Sequence, residues 1–149
     1  MADLLSVHAG LQPDKPGLVE GERVVSWAQR NERANRAANA LSALGVKAGD
    51  RVAMMAFNSI AGFELSGGLG KLEAIGVPVN FRLRDAELAY IVNDSGASVV
   101  CAGLEFVEHV QATRGSVRGD VVFAVLGGAP APPATPRAPT VPMGCRWNT

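Results

Sequence analysis

Residues 51–57, RVAMMAF, form an almost continuous apolar run, and the turn-forming residues Ala48, Gly49 and Asp50 come directly before it. A strand of a parallel sheet is covered by helices on both faces, so its residues are apolar throughout instead of alternating with polar ones. The run therefore predicts a strand that is buried on both faces.

Strand and helix patterns alternate on both sides of this run. Upstream, residues 16–27 predict a β-hairpin around Gly21, and Ser26 with Gln29 forms a capping-box pattern that predicts a helix over residues 27–44. Downstream, the patterns predict in turn a helix over 59–75, a strand over 76–80, a helix over 85–95, a strand over 98–102, a helix over 104–114 and a strand over 120–126. This alternation is typical of right-handed βαβ crossovers, so we expect an α/β fold with a partial parallel sheet and crossover helices.

A glycine cluster in residues 65–72, LSGGLGKL, invites comparison with nucleotide-binding loops. The P-loop pattern requires glycine where Leu65 stands and Ser or Thr where Leu72 stands, and Glu73 breaks the GxGxxG pattern. Glycines inside a helix also cost up to ~1 kcal/mol each relative to alanine. We interpret these small residues as positions that permit close packing.

Composition bounds the class of protein. The 149 residues carry 14 basic and 14 acidic side chains, so no net charge attracts nucleic acid or an anionic membrane. Cys101 and Cys145 fit neither a metal-ligand spacing nor a disulfide framework. No uncharged stretch approaches the ~20 apolar residues of a membrane span. We expect a cytoplasmic protein with no membrane span and no nucleic-acid partner.

The histidines and acidic pairs carry no catalytic signature. His8 and His109 are the only imidazoles, and we expect both on surface helices. Glu105 and Glu108, three residues apart, are most simply one solvated helix face. Asn93 opens a glycosylation sequon but also stands at a predicted helix end.

The basic residues of the first long helix and the internal cysteine also have simple structural interpretations. Arg30, Arg33 and Arg36 lie on its polar face, where Glu32 can pair with Arg36, and Cys101 is a small buried apolar residue. The residues thus predict no catalytic, cofactor-binding or metal-binding side chain.

Several phrases spread over residues 3–128 are similar to those of one protein family. They are 13–19 (PDKPGLV), 26–29 (SWAQ) with 33–41 (RANRAANAL), 45–53 (GVKAGDRVA), 71–83 (KLEAIGVPVNFRL, the most specific), and 87–91 (ELAYI) with 94–97 (DSGA). They resemble the N-terminal portion of the adenylate-forming acyl-CoA synthetases, also called AMP-binding enzymes. Glu73 departs from the pattern, because it stands where this family usually has glycine.

The resemblance implies a two-step ligase reaction. In this family a carboxylate attacks the α-phosphate of ATP, giving an acyl-adenylate and pyrophosphate, and the CoA thiol then displaces AMP. Magnesium accompanies the ATP. Val77, Asn80 and Arg82 resemble the residues of fatty-acyl and related medium- to long-chain members. Arg82 and Arg84 lie near a helix that in some relatives approaches the CoA nucleotide, but we do not name them as ligands.

The family's nucleotide-binding motifs and its C-terminal lysine lie downstream of the matched region and have no counterpart here. The resemblance therefore implies a truncated synthetase, an incomplete N-terminal subdomain over residues 1–128, which we expect to be inactive alone. ATP, Mg and CoA are expected for the full-length family and no cofactor for this fragment. The alternative is a non-catalytic interaction module that docks on full-length synthetase subunits, or self-associates, through exposed sheet edges.

The last residues differ from all that precedes them. Residues 129–149 are rich in proline and alanine, with six of the nine prolines between Pro130 and Pro142. Such a composition without an apolar period predicts disorder. From residue 131 onward we expect an out-of-frame or otherwise aberrant ending instead of a functional tail.

Overall fold

A computed structural model describes residues 3–127 of the chain. Its helices and strands, in chain order, are α1 (Leu4–Leu11), β1 (Pro16–Glu20), β2 (Arg23–Ser26), α2 (Trp27–Ala43), β3 (Arg51–Met55), α3 (Ile60–Lys71), β4 (Ile75–Pro78), α4 (Asp85–Ser95), β5 (Val99–Gly103), α5 (Val107–Ala112) and β6 (Val122–Leu126).

The predicted hairpin and the helix after it are both confirmed. β1 and β2 pair in antiparallel fashion, and Gly21 takes the left-handed conformation in the turn between them, with φ +58°. At the start of α2, Ser26 Oγ accepts from the Gln29 N–H at 3.3 Å and Gln29 Oε1 accepts from the Ser26 N–H at 3.0 Å. This capping box fixes the first residue of α2 at the position that the sequence predicts.

The other four strands form one parallel sheet in the order β4-β3-β5-β6. β3 lies between β4 and β5, so that Ala53 pairs with Val77 on one side and with Val100 on the other. The α/β fold with a partial parallel sheet and crossover helices is confirmed.

Each face of this sheet carries its own hydrophobic core. Side chains of α2 and α3 cover one face, where they meet Val52 of β3, and side chains of α4 and α5 cover the other, where they meet Ala53 and Met55. All three β3 residues have 0% of their surface exposed. The prediction of a strand buried on both faces is therefore confirmed, although β3 ends at Met55 and not at Phe57.

The glycine cluster lies inside α3, as the sequence predicts, and Gly67 and Gly68 lie against Ala34 and Ala37 of α2. Close packing is confirmed for these two positions. Around Gly70, by contrast, the space is open.

Two predicted boundaries around β4 are wrong. α3 ends at Lys71 and not at residue 75, because Glu73 takes a left-handed conformation with φ +56° and the N–H of Ala74 bonds back to the Leu69 carbonyl at 3.0 Å. β4 ends at Pro78 and not at residue 80, since Asn80 Oδ1 accepts from the Arg82 N–H at 3.0 Å and turns the chain.

The single helix predicted over 104–114 is also wrong. The segment forms a 3₁₀ turn (Leu104–Phe106), the short helix α5 and a second 3₁₀ turn (Arg114–Ser116). Phe106 takes φ −110° and ψ 6°, outside the α-helical region, and its buried ring packs on two other phenylalanines. This tertiary packing overrides the local helical preference. α4, in contrast, begins and ends at the predicted residues.

Candidate functional site

The order in which the chain adds strands to the sheet reverses direction between β3 and β5. The chain adds β4 on one side of β3 and then crosses over to add β5 on the other side. In open α/β sheets, ligands bind beyond the carboxyl ends of the strands at such a switch point. The residues that follow β3, β4, β5 and β6 therefore form the candidate site.

A cavity of about 160 Å³ lies at this edge, next to the start of α3. Its walls come from the ends of β3, β4 and β6 and from α3, and they are Met54, Ala56, Phe57, Asn58, Ser59, Gly62, Phe63, Leu65, Ser66, Pro78, Val79 and Leu126. None of these lining residues is charged. The cavity is also smaller than the roughly 300–1,000 Å³ of ordinary ligand pockets.

Both hydroxyl groups of the cavity wall are engaged within α3. Ser59 Oγ accepts from the Gly62 N–H at 3.2 Å, and Ser66 Oγ donates to the Gly62 carbonyl at 3.0 Å. Ser59 thus caps the start of α3, and the Ser66 hydroxyl bonds back to the carbonyl of the preceding turn. Among residues 3–127, neither a general base nor a cation that could hold a phosphate lines the cavity, so the described lining does not fit ATP or magnesium.

Three phenylalanines meet at the same edge of the sheet. Phe57 follows β3, Phe81 follows β4 and Phe106 follows β5, and the ring centroids of Phe57 lie 4.9 Å from Phe81 and 4.8 Å from Phe106. The guanidinium carbon of Arg82 lies 5.0 Å from the Phe81 ring centroid. Sequence analysis missed this cluster, because the signal, an aromatic residue two or three positions after each of three strands, depends on the observed strand ends, and the predicted strand over 51–57 included Phe57.

His109 lies on the surface helix α5, as predicted, and it faces Asp85 at the start of α4. His109 Nε2 lies 3.3 Å from Asp85 Oδ1 in an open groove of about 650 Å³ that Leu83, Arg84, Ala86 and Glu108 also line. No Ser, Thr or Cys is among these lining residues, so the pair has no nucleophile to activate.

His8 lies on α1, also as predicted, and its ring stacks on Trp27 with centroids 4.5 Å apart. The Gln12 amide lies 3.2 Å from His8 Nδ1. Arg30 lies near the same indole, with its guanidinium carbon 4.9 Å from the ring centroid, and burial lowers the pKa of Arg30. This group of side chains fastens α1 to α2.

The other two arginines of α2 are held in ion pairs. Arg33 bonds to Glu64 of α3 at 2.8 Å, and Arg36 bonds to Glu32 at 2.7 Å, as the sequence predicts. These pairs leave no stripe of unpaired cations along α2 for a phosphate backbone.

Lys71, the residue that made the glycine cluster look like a P-loop, bonds to the Asp3 carboxylate and to Asn31 Oδ1, the latter at 2.8 Å. Burial raises the pKa of the Asp3 carboxyl, but hydrogen bonds from Lys71, the Ser6 hydroxyl and the Leu5 N–H outweigh it and lower the pKa from 3.8 to about 2. Lys71 thus joins α3 to α1 and α2.

The remaining sequence candidates lie apart from the cavity. Glu105 lies in the first 3₁₀ turn and Glu108 in α5, so they do not share one helix. Asn93 donates to the Ser116 carbonyl at 2.9 Å and accepts from the Arg118 N–H at 3.0 Å. Cys101 is buried in β5, as expected.

Residues 3–127 lack two kinds of feature. They contain no cluster of three or more His, Cys, Asp or Glu side chains that could hold a metal ion. None of their helices has the length and apolar character needed to cross a bilayer.

Comparison with known proteins gives a consistent result. The sequence model of the family described as AMP-binding enzyme matches residues 5–142. The long-chain-fatty-acid–CoA ligase FadD13 of Mycobacterium tuberculosis is 39% identical over 113 residues, covering 74% of this chain and 22% of the relative. The feruloyl-CoA synthase of an Amycolatopsis species is 33% identical over 137 residues, covering 92% of this chain and 27% of the relative.

Solved structures show the same fold. A Mycobacterium tuberculosis fatty acyl CoA synthetase superposes with a TM-score of 0.77 and 36% identity, covering 84% of this chain and 26% of that one. The anthranilate CoA ligase AuaEII in complex with anthranoyl-AMP superposes with a TM-score of 0.78 and 29% identity, covering 83% and 24%. The chain spans only 22% and 27% of the length of the two curated relatives. The resemblance seen in the sequence is confirmed, and the chain belongs to the AMP-binding enzyme family.

Proposed function

We propose that this chain is the N-terminal part of an ATP-dependent acyl-CoA synthetase and that it does not activate a carboxylic acid by itself. The inactivity is inferred from the composition of the cavity at the carboxyl edge, since none of its described lining residues is charged. Adenylation requires cationic groups that stabilise charge on the phosphates. None of the described residues that line this cavity supplies them.

In the whole protein, this part would serve as a scaffold. The parallel sheet, covered on both faces, holds the apolar edge formed by Phe57, Phe81 and Phe106 in place. ATP, Mg and CoA would bind to other parts of a full-length synthetase. The names of the relatives indicate different substrates, namely long-chain fatty, feruloyl and anthranoyl groups, so they do not select one substrate for this chain. Our preference for a fatty-acyl substrate therefore depends on Val77, Asn80 and Arg82 alone.

Pyrophosphate exchange tests this proposal. The purified chain is incubated with ATP, magnesium, radiolabelled pyrophosphate and a series of fatty acids, beside the full-length Mycobacterium tuberculosis relative as a positive control. We expect label in ATP from the relative and only background from this chain. Exchange above background that needs both the fatty acid and magnesium would show that the chain is active alone.

The second candidate is an interaction module that docks on a full-length synthetase. The half-exposed rings of Phe57 and Phe63 favour it, because concave apolar surface commonly marks an interaction site. The free edge of β4 is a weaker candidate. The backbone N–H groups of Ile75 and Val79 point toward β3. Because N–H groups along a strand alternate in direction, the backbone groups of Gly76 and Pro78 face the free edge. Proline has no N–H to donate there, so this edge offers a new strand few hydrogen bonds.

A pull-down decides this second candidate. The immobilised chain is mixed with a full-length relative, and a variant that carries Phe57→Ser and Phe63→Ser serves as the comparison. Retention of the relative by the wild-type chain alone would support docking. A chain that is monomeric and retains nothing would refute it.

Two further expectations stay predictions. A cytoplasmic location is inferred from composition alone. The boundary at residue 129 and the aberrant ending fall outside the described residues, while the family match continues to residue 142. Sequencing the coding region beyond the codon for Gly128 would test the ending, since a family phosphate-loop motif in another frame would identify a frameshift.

A further inference from the structure

Exposed apolar side chains surround a groove at the carboxyl edge of the sheet. Phe57 is 49% exposed and Phe63 is 45% exposed, and both line the cavity that Pro78 and Leu126 also line. Leu104, which directly follows β5 at the same edge, is 58% exposed. Apolar surface of this kind, collected around a concavity, marks an interaction site.

The shape and chemistry of the groove select the kind of occupant. Its cavity of about 160 Å³ is too small for an ordinary ligand, and none of its described lining residues carries a charge. A second copy of the chain does not fit well, because a twofold interface places the same surface opposite itself and two concave surfaces leave a gap between them. The groove therefore fits a protruding apolar surface of a different polypeptide.

A solved relative indicates which polypeptide this is. The N-terminal domain of FACL13 from Mycobacterium tuberculosis superposes with a TM-score of 0.75 and 37% identity, covering 80% of this chain but only 32% of that domain. Because a domain is one compact body, the rest of that domain packs against the part that this chain resembles. Helices of this chain already cover both faces of its own sheet, so the groove is the described concave apolar surface left for such a contact.

We propose that the groove binds, as a separate chain, the part of an AMP-binding enzyme that lies outside the match to this protein, so that two chains together form one synthetase domain. The proposal rests on the function proposed above, that this chain is the N-terminal part of a synthetase. Apolar side chains of the second chain cover Phe57, Phe63 and Leu104. A full-length relative is not a partner, because its own N-terminal part already occupies the place.

Co-expression tests the proposal. The full 149-residue chain, carrying an affinity tag, is produced together with the Mycobacterium tuberculosis ligase FadD13 from which the segment matched by this chain has been deleted. We expect the two chains to co-purify in equal amounts, and the soluble yield of the shortened ligase to rise several-fold over its yield when produced alone. The full-length ligase, produced beside the tagged chain in the same way, should not be retained.

Two matched variants locate the contact. Phe57→Ser with Phe63→Ser should lower the recovery of the shortened ligase several-fold. Val19→Ser with Val24→Ser changes an exposed pair of valines on the separate β1–β2 hairpin and should leave the recovery unchanged. Circular dichroism shows whether each variant keeps the fold of the wild-type chain.

The outcomes separate this proposal from the function on which it rests. Failure of the wild-type chain to recover the shortened ligase, or equal losses for the two variants, would overturn binding at the groove and leave the inactivity of the chain untouched. Pyrophosphate exchange by the chain alone would instead refute the inactivity.

Discussion

Gly68 of α3 lies so close to Ala37 of α2 that a Cβ atom on residue 68 would stand 2.6 Å from the Ala37 Cβ and 2.8 Å from the Ala38 nitrogen. Contacts this short require the two helices to move apart. The glycine thus sets the distance between α2 and α3, and with it the depth of the core on that face of the sheet.

Replacing Gly68 with alanine should therefore destabilise the protein by about 1–3 kcal/mol, as overpacking does, despite the higher helix propensity of alanine. Gly70→Ala is the matched control, because nothing lies within 4 Å of a Cβ at that position. It should stabilise the protein by roughly 0.5–1 kcal/mol. Urea unfolding followed by circular dichroism measures both variants, and equal midpoints for the two would show that the helices do not touch there.

Glu73→Gly should stabilise the protein by about 0.5–1 kcal/mol. Glu73 is the only non-glycine residue among the described ones with a positive φ, at +56°, and a Cβ atom in this conformation costs ~1–2 kcal/mol, part of which the flexibility of glycine in the unfolded chain offsets. Thermal unfolding measures the change. Glu73→Ala separates backbone strain from the loss of the carboxylate, since it keeps the Cβ atom and should stay within about 0.5 kcal/mol of wild type.

The contribution of Asp3 to stability should fall at low pH. Its pKa is about 2 in the folded chain and 3.8 ordinarily, so the unfolded chain binds the proton more readily. The stabilisation is therefore fully present above the ordinary pKa and is lost as the pH falls toward 2. Because the side chain is 36% exposed, we expect about 1 kcal/mol or less.

The Asp3→Asn variant measures this contribution. The gap between the urea midpoints of wild type and variant should be clear at pH 6 and should shrink as the pH is lowered through 3. A gap that is the same at both values would mean that the carboxylate charge contributes nothing.

The Arg33–Glu64 pair should couple more strongly than the Arg36–Glu32 pair. It joins α2 to α3 and its carboxylate is only 15% exposed, whereas both partners of the second pair lie largely in solvent. Double-mutant cycles with alanine should give about 1 kcal/mol for the first pair and below about 0.5 kcal/mol for the second. A smaller coupling energy for Arg33–Glu64 than for Arg36–Glu32 would mean that apolar packing, and not this ion pair, holds α2 against α3.

The elements that sequence analysis placed correctly are those determined by neighbouring residues. Ser26 and Gln29 fix the start of α2 between themselves, and Asp85 and Ser95 bound α4 as predicted. The early ends of α3 and β4 also have local causes, at Glu73 and Asn80, which the patterns did not reveal. The error over residues 104–114 arises where distant residues decide. Phe106 leaves the helical region to pack on Phe57 and Phe81.

The candidate site was hidden for the same reason. The three phenylalanines are far apart in the chain and meet only because β3, β4 and β5 lie side by side, which local patterns do not reveal. Likewise, the bonds from Lys71 to Asp3 and Asn31 join residues 68 and 40 positions apart. Once the strand order is known, the aromatic residue after each strand becomes a clear signal.

The strand order β4-β3-β5-β6 also bears on how the chain can assemble during synthesis. β3 is the first of these strands to be made, β4 then adds to one edge, β5 to the other, and β6 to the edge that β5 has created. No later strand has to push between two that are already hydrogen-bonded. Each segment that leaves the ribosome finds its docking edge complete, so the sheet can grow outward from β3 in the order of translation.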